Sequence, residues 1–406
     1  MTSDQARGGP TGPSVAAGDT PRQTGGVRTP PTPARAPLLG MTWAHLLNDG
    51  AANYLPGVLP AVLVSLHAPV RLAGVLIAAL TVGQALQPVV GWVADRIGGR
   101  SLVVTGLLLN SLGGGLLGFA HRMGVLITLL LLIGIGNSFF HPQALAGVRS
   151  MLAGRRGLLM AVFLVGGELG RGLWPTVASL VVVHLGLSGL WVVALPGILT
   201  VPLLFRWAPP LPPRSRQGQR RRGRHRAWPL SLLIAYRSAR ALTTYALVTF
   251  IPILWHLRGG TLVEGASVIT TMLVVGVIGN LGGGHLADML GRRPVLVASA
   301  IATAALIVPV VILQGAAMWL SAGLLGIAMF LTAPTTVLIG QDLFPENRSM
   351  GSGIALGLAN GIGAVLVLVI GLLVTSNGVE PVLWVVAGIG AASGVCGLVL
   401  PRSVRT

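Results

Sequence analysis

Long apolar stretches dominate the sequence, and each is long enough to cross a lipid bilayer as an α-helix. A membrane-spanning helix needs about 20 mostly apolar residues, and charged and turn-forming residues divide the chain into twelve such stretches. They lie near 38–66, 72–94, 101–120, 123–146, 157–183, 187–206, 229–256, 264–288, 293–313, 317–341, 349–375 and 381–400. Because backbone groups in lipid must be satisfied internally, we predict an all-α membrane protein with twelve transmembrane helices.

The composition excludes a soluble globular protein and argues against several kinds of activity. Hydrophobic residues make up 53% of the chain and charged residues 9%, whereas soluble domains are about 25% charged. All basic residues are arginine, so the lysine of a phosphate-binding loop is absent. No cluster such as H-E-x-x-H indicates an intramembrane metalloenzyme. We therefore expect neither an enzyme nor an ATP-driven pump, and no cofactor or metal site.

Three polar segments divide the chain into two halves. Residues 1–37 are rich in Gly, Pro, Thr and Arg and lack the apolar core of a signal peptide. Residues 207–228 contain prolines and a run of arginines, which favours a linker that contacts anionic lipid rather than nucleic acid. We predict bundles of six helices at 38–206 and 229–400, joined by this linker and flanked by tails at 1–37 and 401–406.

The distribution of arginine predicts the orientation. With the amino terminus inside, 22 of the 28 arginines fall in the tails and the loops on that side. Positive residues are retained on the cytoplasmic side of a membrane. The sequence therefore predicts a multi-pass protein of a bacterial inner membrane with both termini in the cytoplasm.

The two halves repeat each other. GWVADRIGGR at 91–100 and GHLADMLGRR at 284–293 share the pattern G-x-x-A-D-x-x-G-x-R at an offset of 193 residues, and the same offset aligns GGELG at 166–170 with ANGIG at 359–363. Parallel repeats of this kind are typical of transporters in which two bundles rock about a central site. We therefore predict two pseudo-symmetric bundles that act as one monomer.

The repeated loop and the long basic linker resemble the major facilitator superfamily over essentially all of 38–400. Several further runs resemble its fosmidomycin-resistance branch. They are HLLNDG at 45–50 with Pro56 and Pro60, QPVVGW at 87–92, FHPQA at 140–144, VGGELG at 165–170 and GQDLFP at 340–345.

This resemblance implies the major facilitator fold and proton-coupled export of a small anionic or amphiphilic drug, such as a fosmidomycin-like phosphonate. Two positions depart from the branch, which often has an acid where this chain has Gln143 and a neutral Asn where it has Glu168. The proton-carrying group can therefore differ from that of its relatives. The alternative is a proton-coupled importer of an organic acid or other small metabolite.

A polar stripe on the first span carries the leading candidate for proton coupling. His45, Asp49 and Asn53 recur every four residues, so they share one helix face, and Asp49 lies roughly 15 Å from the cytoplasmic end. A charge in a span faces the bundle interior or a water-filled path. We expect Asp49 to carry the proton, with His45 tuning it and Asn53 contacting substrate. A purely structural hydrogen-bond network is the alternative.

Two arginines on the seventh span are candidates for binding an anion. Arg237 and Arg240 are three residues apart and lie about 12 to 17 Å into the span. A guanidinium donates paired hydrogen bonds to phosphonate or carboxylate groups and stays charged at any accessible pH. Alternatively, the span starts later and both side chains reach the cytoplasmic surface.

Further polar residues lie on the fourth and fifth spans. Glu168 and Arg171 are three residues apart, which favours a structural ion pair, although Glu168 is also a second candidate proton carrier and Arg171 a candidate substrate ligand. His141 precedes Pro142 near the cytoplasmic end of the fourth span, where it is expected to shape or line the substrate cavity.

The repeated loops predict a conformational latch. Asp95 and Asp288 end the second and eighth spans and precede the arginines of each loop, Arg96, Arg100 and Arg292. Carboxylates and guanidinium groups placed there can hold neighbouring helix ends together and bias the balance between two conformations. A role in loop topology alone is the alternative.

Overall fold

The computed structural model describes residues 35–87, 89–90, 93, 100–151, 156–208, 227–343, 354–374 and 378–400, and these residues are almost entirely helical. The α-helices of the first half are α1 (Arg35–Asn53), α2 (Leu55–Ser65), α3 (Ala73–Gln84), α4 (Arg100–Leu116), α5 (Met123–Met151), α6 (Arg156–Leu185) and α7 (Trp191–Trp207). Those of the second half are α8 (Ala227–Leu257), α9 (Leu262–Leu290), α10 (Arg292–Ile312), α11 (Ala316–Phe330), α12 (Ala333–Leu343), α13 (Ala359–Gly371) and α14 (Glu380–Val399).

The predicted all-α membrane fold is confirmed. Eight helical segments in the described part of the chain are long and apolar enough to cross a membrane, and two shorter apolar helices, Val70–Gln84 and Ala359–Gly371, accompany them. Every one of the twelve predicted spans contains at least one α-helix. Most of the predicted tails and linker, at 1–34, 209–226 and 401–406, lies outside the described residues.

The first span is interrupted one turn beyond Asp49. Helix α1 ends at Asn53, and α2 begins at Leu55 with Pro56 in its first turn and Pro60 in its interior. Proline has no amide hydrogen and its ring crowds the carbonyl four residues before it, so it suits the first turn of a helix, as at Pro56, and removes a backbone hydrogen bond in the interior, as at Pro60. The span is therefore two helices joined at Tyr54.

Glycine allows α1 and α6 to approach each other closely. A Cβ atom on Gly170 would overlap the carbonyl oxygen of Leu46, and one on Gly166 would lie 2.6 Å from the carbonyl oxygen of Thr42. Small residues at such contacts let helix backbones pack tightly in membranes. This close approach places the residue after Gly170, Arg171, beside the polar face of α1.

The two bundles meet through a limited set of helices. In the described part of the chain, all of the extensive contacts between them join α2, α3 or α6 to α8, α9 or α13. The Thr176 and Thr270 hydroxyls are 2.7 Å apart across this interface. Helices α2 and α3 flank the predicted outer loop, so the contacts indicate bundles that are closed at the predicted outer end.

We predict that Gly170→Ala separates α1 from α6 and lowers the thermal unfolding midpoint of the detergent-solubilised protein. Overpacking of a tight contact costs about 1–3 kcal/mol. The matched control is Gly388→Ala, because Gly388 also lies within a helix but has no atom within 4 Å of the added Cβ. An unchanged midpoint for Gly170→Ala would contradict the tight contact.

Candidate functional site

Asp49 lies at the centre of a buried polar cluster in the amino-terminal bundle. Only 1% of the surface of Asp49 is exposed to solvent. Asp49 Oδ2 is 3.1 Å from Arg171 Nη2, and Oδ1 is 3.2 Å from His141 Nε2. His45 Nε2 is 3.6 Å from Oδ2, and the Asn48 side-chain amide donates to Oδ1 at 3.2 Å. Helices α1, α5 and α6 therefore converge on one carboxylate.

The two histidines of the cluster are held in defined orientations. His45 Nδ1 is 2.8 Å from the carbonyl oxygen of Phe163, whose ring stacks on the imidazole, and His141 Nδ1 is 3.2 Å from the carbonyl oxygen of Asn137. The two Nε2 atoms are 3.4 Å apart. Both rings therefore present Nε2 to each other and to Asp49.

Arg171 links the buried carboxylate to a second, more accessible one. Its Nη1 is 3.3 Å from Glu168 Oε2, while its Nη2 contacts Asp49. The Arg171 and Glu168 side chains are 34% and 20% exposed, compared with 1% for Asp49. The predicted Glu168–Arg171 pair is present, and it continues to Asp49, which connects the buried cluster to accessible space.

Three asparagine side chains form a hydrogen-bonded chain that reaches Asp49 through Asn48. Asn110 donates to Asn48 Oδ1 at 2.7 Å, and Asn48 donates to Asn137 Oδ1 at 2.9 Å. All three are buried and join α4, α1 and α5. Asn110 was not predicted as a site residue, although an amide within an apolar span is a usable signal. Asn53 donates to the backbone carbonyl of Asp49 at 2.8 Å, a contact within its own turn of helix.

The two arginines of α8 have different environments. Arg240 is 2% exposed, and its Nη atoms donate to Thr303 Oγ1, Ser299 Oγ, and the carbonyl oxygens of Ala328 and Met329. These contacts tie α8 to α10 and α11. Arg237 is half-buried, and among the described residues only its Nε donates, to Ala355 O at 3.1 Å. The geometry therefore favours Arg237 over Arg240 as a group that can reach substrate.

The residues of the predicted latch are only partly described. Asp95 and Arg96 lie outside the described residues, and Asp288 is exposed at the end of α9. Arg100 Nε donates to Ala208 O at 2.7 Å, and Arg292 Nη1 is 2.6 Å from Asp342 Oδ2. Asp342 was not predicted, although it belongs to the run GQDLFP. Its contact joins the end of α12 to the start of α10.

A separate cavity of about 470 Å³ opens between α1, α6 and α9, beside the cluster. Its lining is almost entirely apolar and draws on both bundles. The lining residues are Leu39, Thr42, Trp43, Leu46, Val162, Val165, Gly166, Leu169 and Leu281. Leu39, Trp43 and Leu281 are also among the exposed large hydrophobic side chains, so the cavity is a shallow apolar groove on the surface of the helices.

The chain matches the family model described as Major Facilitator Superfamily over residues 41–253 and 237–406. It is 27% identical to the uncharacterized MFS-type transporter YfnC of Bacillus subtilis (strain 168), covering 93% of this chain and 96% of that protein. It is 25% identical to the Fosmidomycin resistance protein of Escherichia coli (strain K12), covering 90% and 94%.

Solved structures share the fold at low sequence identity. The crystal structure of a mutant of the nucleoside transporter NupG has a TM-score of 0.75 at 14% identity and covers 90% of this chain and 99% of its own. A bacterial homolog of the human lysosomal transporter Spinster, in an inward-facing and occupied conformation, has a TM-score of 0.72 at 16% identity, covering 91% and 96%. These similarities establish the arrangement of the helices.

We predict that Arg240→Met lowers the thermal unfolding midpoint of the purified protein much more than Arg237→Met. The first change leaves buried hydroxyl and carbonyl acceptors on α10 and α11 without their donor, and a buried polar group left unsatisfied costs about 1–3 kcal/mol. The second removes one described hydrogen bond from a half-buried side chain. Equal effects of the two substitutions would contradict the structural role of Arg240.

Proposed function

The chain belongs to the major facilitator superfamily of membrane transporters, and on that premise we propose that it exports a small anionic or amphiphilic compound in exchange for protons. Asp49 carries the proton, and the compound binds between the bundles near Arg237 and the Glu168–Arg171 pair. The observation that carries this proposal is the buried Asp49 carboxylate, which contacts two histidines and an arginine that is itself partly exposed.

Membrane location and topology follow from the same premise. The helices and the bacterial relatives make this a multi-pass protein of a bacterial inner membrane that acts on small molecules. We place both termini in the cytoplasm, because the arginines are concentrated on that side. With this orientation, the contacts that α2 and α3 make with α8, α9 and α13 lie at the outer end of the protein, where they close the gap between the bundles. The substrate then enters from the cytoplasmic end.

Asp49 fits a proton carrier because its neighbours can compensate either of its charge states. Ionised, it accepts from Arg171 and from the Asn48 amide, and it lies beside two imidazoles that can take up a proton. When Asp49 is protonated, Arg171 keeps Glu168 as its partner at 3.3 Å. The charge of the cluster can therefore change without leaving an isolated charge in the membrane.

Exchange requires that the substrate can bind while Asp49 is ionised. Arg237 satisfies this requirement, because it lies on the opposite bundle and its described hydrogen bond uses only Nε. An anionic group on Arg237 leaves the Asp49–Arg171 pair intact. One relative is named for resistance to fosmidomycin, and we take export as the direction because removal of a toxic compound from the cell confers resistance.

The alternative is import of an organic acid together with protons, and one observation favours it. Arg171 already contacts Asp49, so an anion that takes Arg171 needs Asp49 to be protonated first. Proton and anion would then move together. Proteoliposomes loaded with a pH-sensitive dye separate the two cases, because the substrate gradient drives protons in opposite directions.

We predict that Asp49→Asn abolishes substrate-driven proton movement in these proteoliposomes, since an amide cannot cycle its charge. With fosmidomycin as the probe, the protein without substitutions should move protons across the membrane in the direction opposite to the movement of the drug. Glu264→Gln is the control, because Glu264 is an exposed carboxylate at the start of α9. Loss of proton movement in Glu168→Gln with retention in Asp49→Asn would assign the proton to Glu168 instead.

We also predict that Arg237→Gln weakens binding of anionic substrates by about 1.5–3 kcal/mol, the contribution of a hydrogen bond to a charged group, and leaves neutral substrates little changed. This corresponds to roughly a 10- to 150-fold rise in Kd. Arg206→Gln, an exposed arginine at the end of α7, is the control. An equal loss for charged and neutral compounds would count against an anion site at Arg237.

A further inference from the structure

The side chains around Asp49 also have the composition of a transition-metal site, and we propose that His45, Asp49 and His141 bind a divalent cation of the zinc type. One atom from each, the two Nε2 atoms and a carboxylate oxygen, lie within 4.8 Å of one another. Imidazole nitrogen and carboxylate oxygen are ligands that Zn²⁺ and Co²⁺ accept, whereas Mg²⁺ and Ca²⁺ prefer oxygen alone.

The spacing of the three atoms fits tetrahedral coordination. Zn²⁺ binds nitrogen and oxygen at about 2.0–2.1 Å, and two ligands of a tetrahedron with these bond lengths are roughly 3.3 Å apart. The two Nε2 atoms are 3.4 Å apart, and each lies near a different oxygen of Asp49, with His141 Nε2 3.2 Å from Oδ1 and His45 Nε2 3.6 Å from Oδ2. With one of these oxygens as the ligand, all three donor atoms lie within 4.8 Å of one another, so a side-chain rotation of Asp49 can bring them around one cation.

The hydrogen bonds behind the ligands orient the rings for metal binding. Nδ1 of His45 faces the Phe163 carbonyl and Nδ1 of His141 faces the Asn137 carbonyl. A carbonyl oxygen only accepts, so each Nδ1 carries the proton and each Nε2 is left with a lone pair when the ring is neutral. Metal-binding histidines use this arrangement, because the outer hydrogen bond fixes the tautomer and the ring orientation.

The surrounding charges also favour a bound cation. With neutral histidines, Asp49 and Glu168 contribute two negative charges and Arg171 one positive charge, so the group is net negative. Arg171 contacts Asp49 on Oδ2, and each carboxylate oxygen has two lone pairs. Arg171 can therefore remain as an outer partner of the carboxylate while Asp49 binds the metal.

This assignment revises the expectation of no metal site. The sequence shows His45 and Asp49 at helical spacing on α1, but His141 lies 96 residues away on α5, so no local motif reveals the set. The His141 side chain is 18% exposed, compared with 4% for His45 and 1% for Asp49, which makes His141 the accessible edge of the site.

Metal binding at this site does not depend on which substrate the protein carries. The metal competes with protons for the same lone pairs.

The test uses the purified full-length protein in detergent, with Co²⁺ as a spectroscopic probe and Zn²⁺ as the competitor. We expect the intense visible absorption of tetrahedral Co²⁺, saturating at one ion per chain and lost on adding Zn²⁺. Zn²⁺ should also raise the thermal unfolding midpoint, while Mg²⁺ should not. If the protein without substitutions does not give the tetrahedral Co²⁺ spectrum, the proposal is wrong, and no variant is needed to reach that conclusion.

Variants locate the ion. His141→Gln and His45→Gln should each weaken Co²⁺ binding by more than about 100-fold, the upper end of the losses seen for outer-shell partners. His184→Gln is the matched control, because His184 is exposed at the end of α6. If either ligand variant fails to fold, the other decides the result. Equal binding in the ligand variants and the control would place the ion elsewhere and refute the site.

Discussion

The charge on Asp49, enclosed by the amino-terminal bundle, is the constraint on which the site depends. An ionised carboxylate in a membrane interior is stable only when other charges and donors compensate it. Here the compensation comes from three helices, through Arg171 on α6, His141 on α5 and the Asn48 amide on α1. The positions of these helices are fixed in turn by the glycine contact at Gly170 and by the Asn110–Asn48–Asn137 chain.

The two halves of the chain have diverged in their polar chemistry although they share one architecture. Adding the 193-residue offset to positions 45 and 49 gives Ser238 and Leu242, so the second half has no counterpart of the titratable pair. It contains instead Arg240, a cation whose Nη atoms are bonded within their own bundle. One bundle thus holds groups that can change charge, while the other holds a charge that is fixed in place.

The sequence predicted the membrane fold well, because span length and hydrophobicity are local properties. It also singled out Asp49, His45 and the Glu168–Arg171 pair as candidates, because their helical spacing is visible in the sequence. It did not identify Asn110, the contact from Arg171 to Asp49, or the pairing of Arg292 with Asp342, because these depend on which helices become neighbours. The different contacts of Arg237 and Arg240 could not be predicted either, because two arginines three residues apart on one helix look equivalent until the neighbouring helices are known.

The joint at Tyr54 separates two tasks that a continuous rod would have to combine. Helix α1 below it carries Asp49 and packs within its own bundle, whereas α2 above it contacts α8 and α9 of the other bundle. Because α1 ends at Asn53 and α2 begins anew at Leu55, the helical hydrogen-bond pattern is interrupted at Tyr54. The direction of α2 against the opposing bundle is therefore independent of the helix that holds the carboxylate.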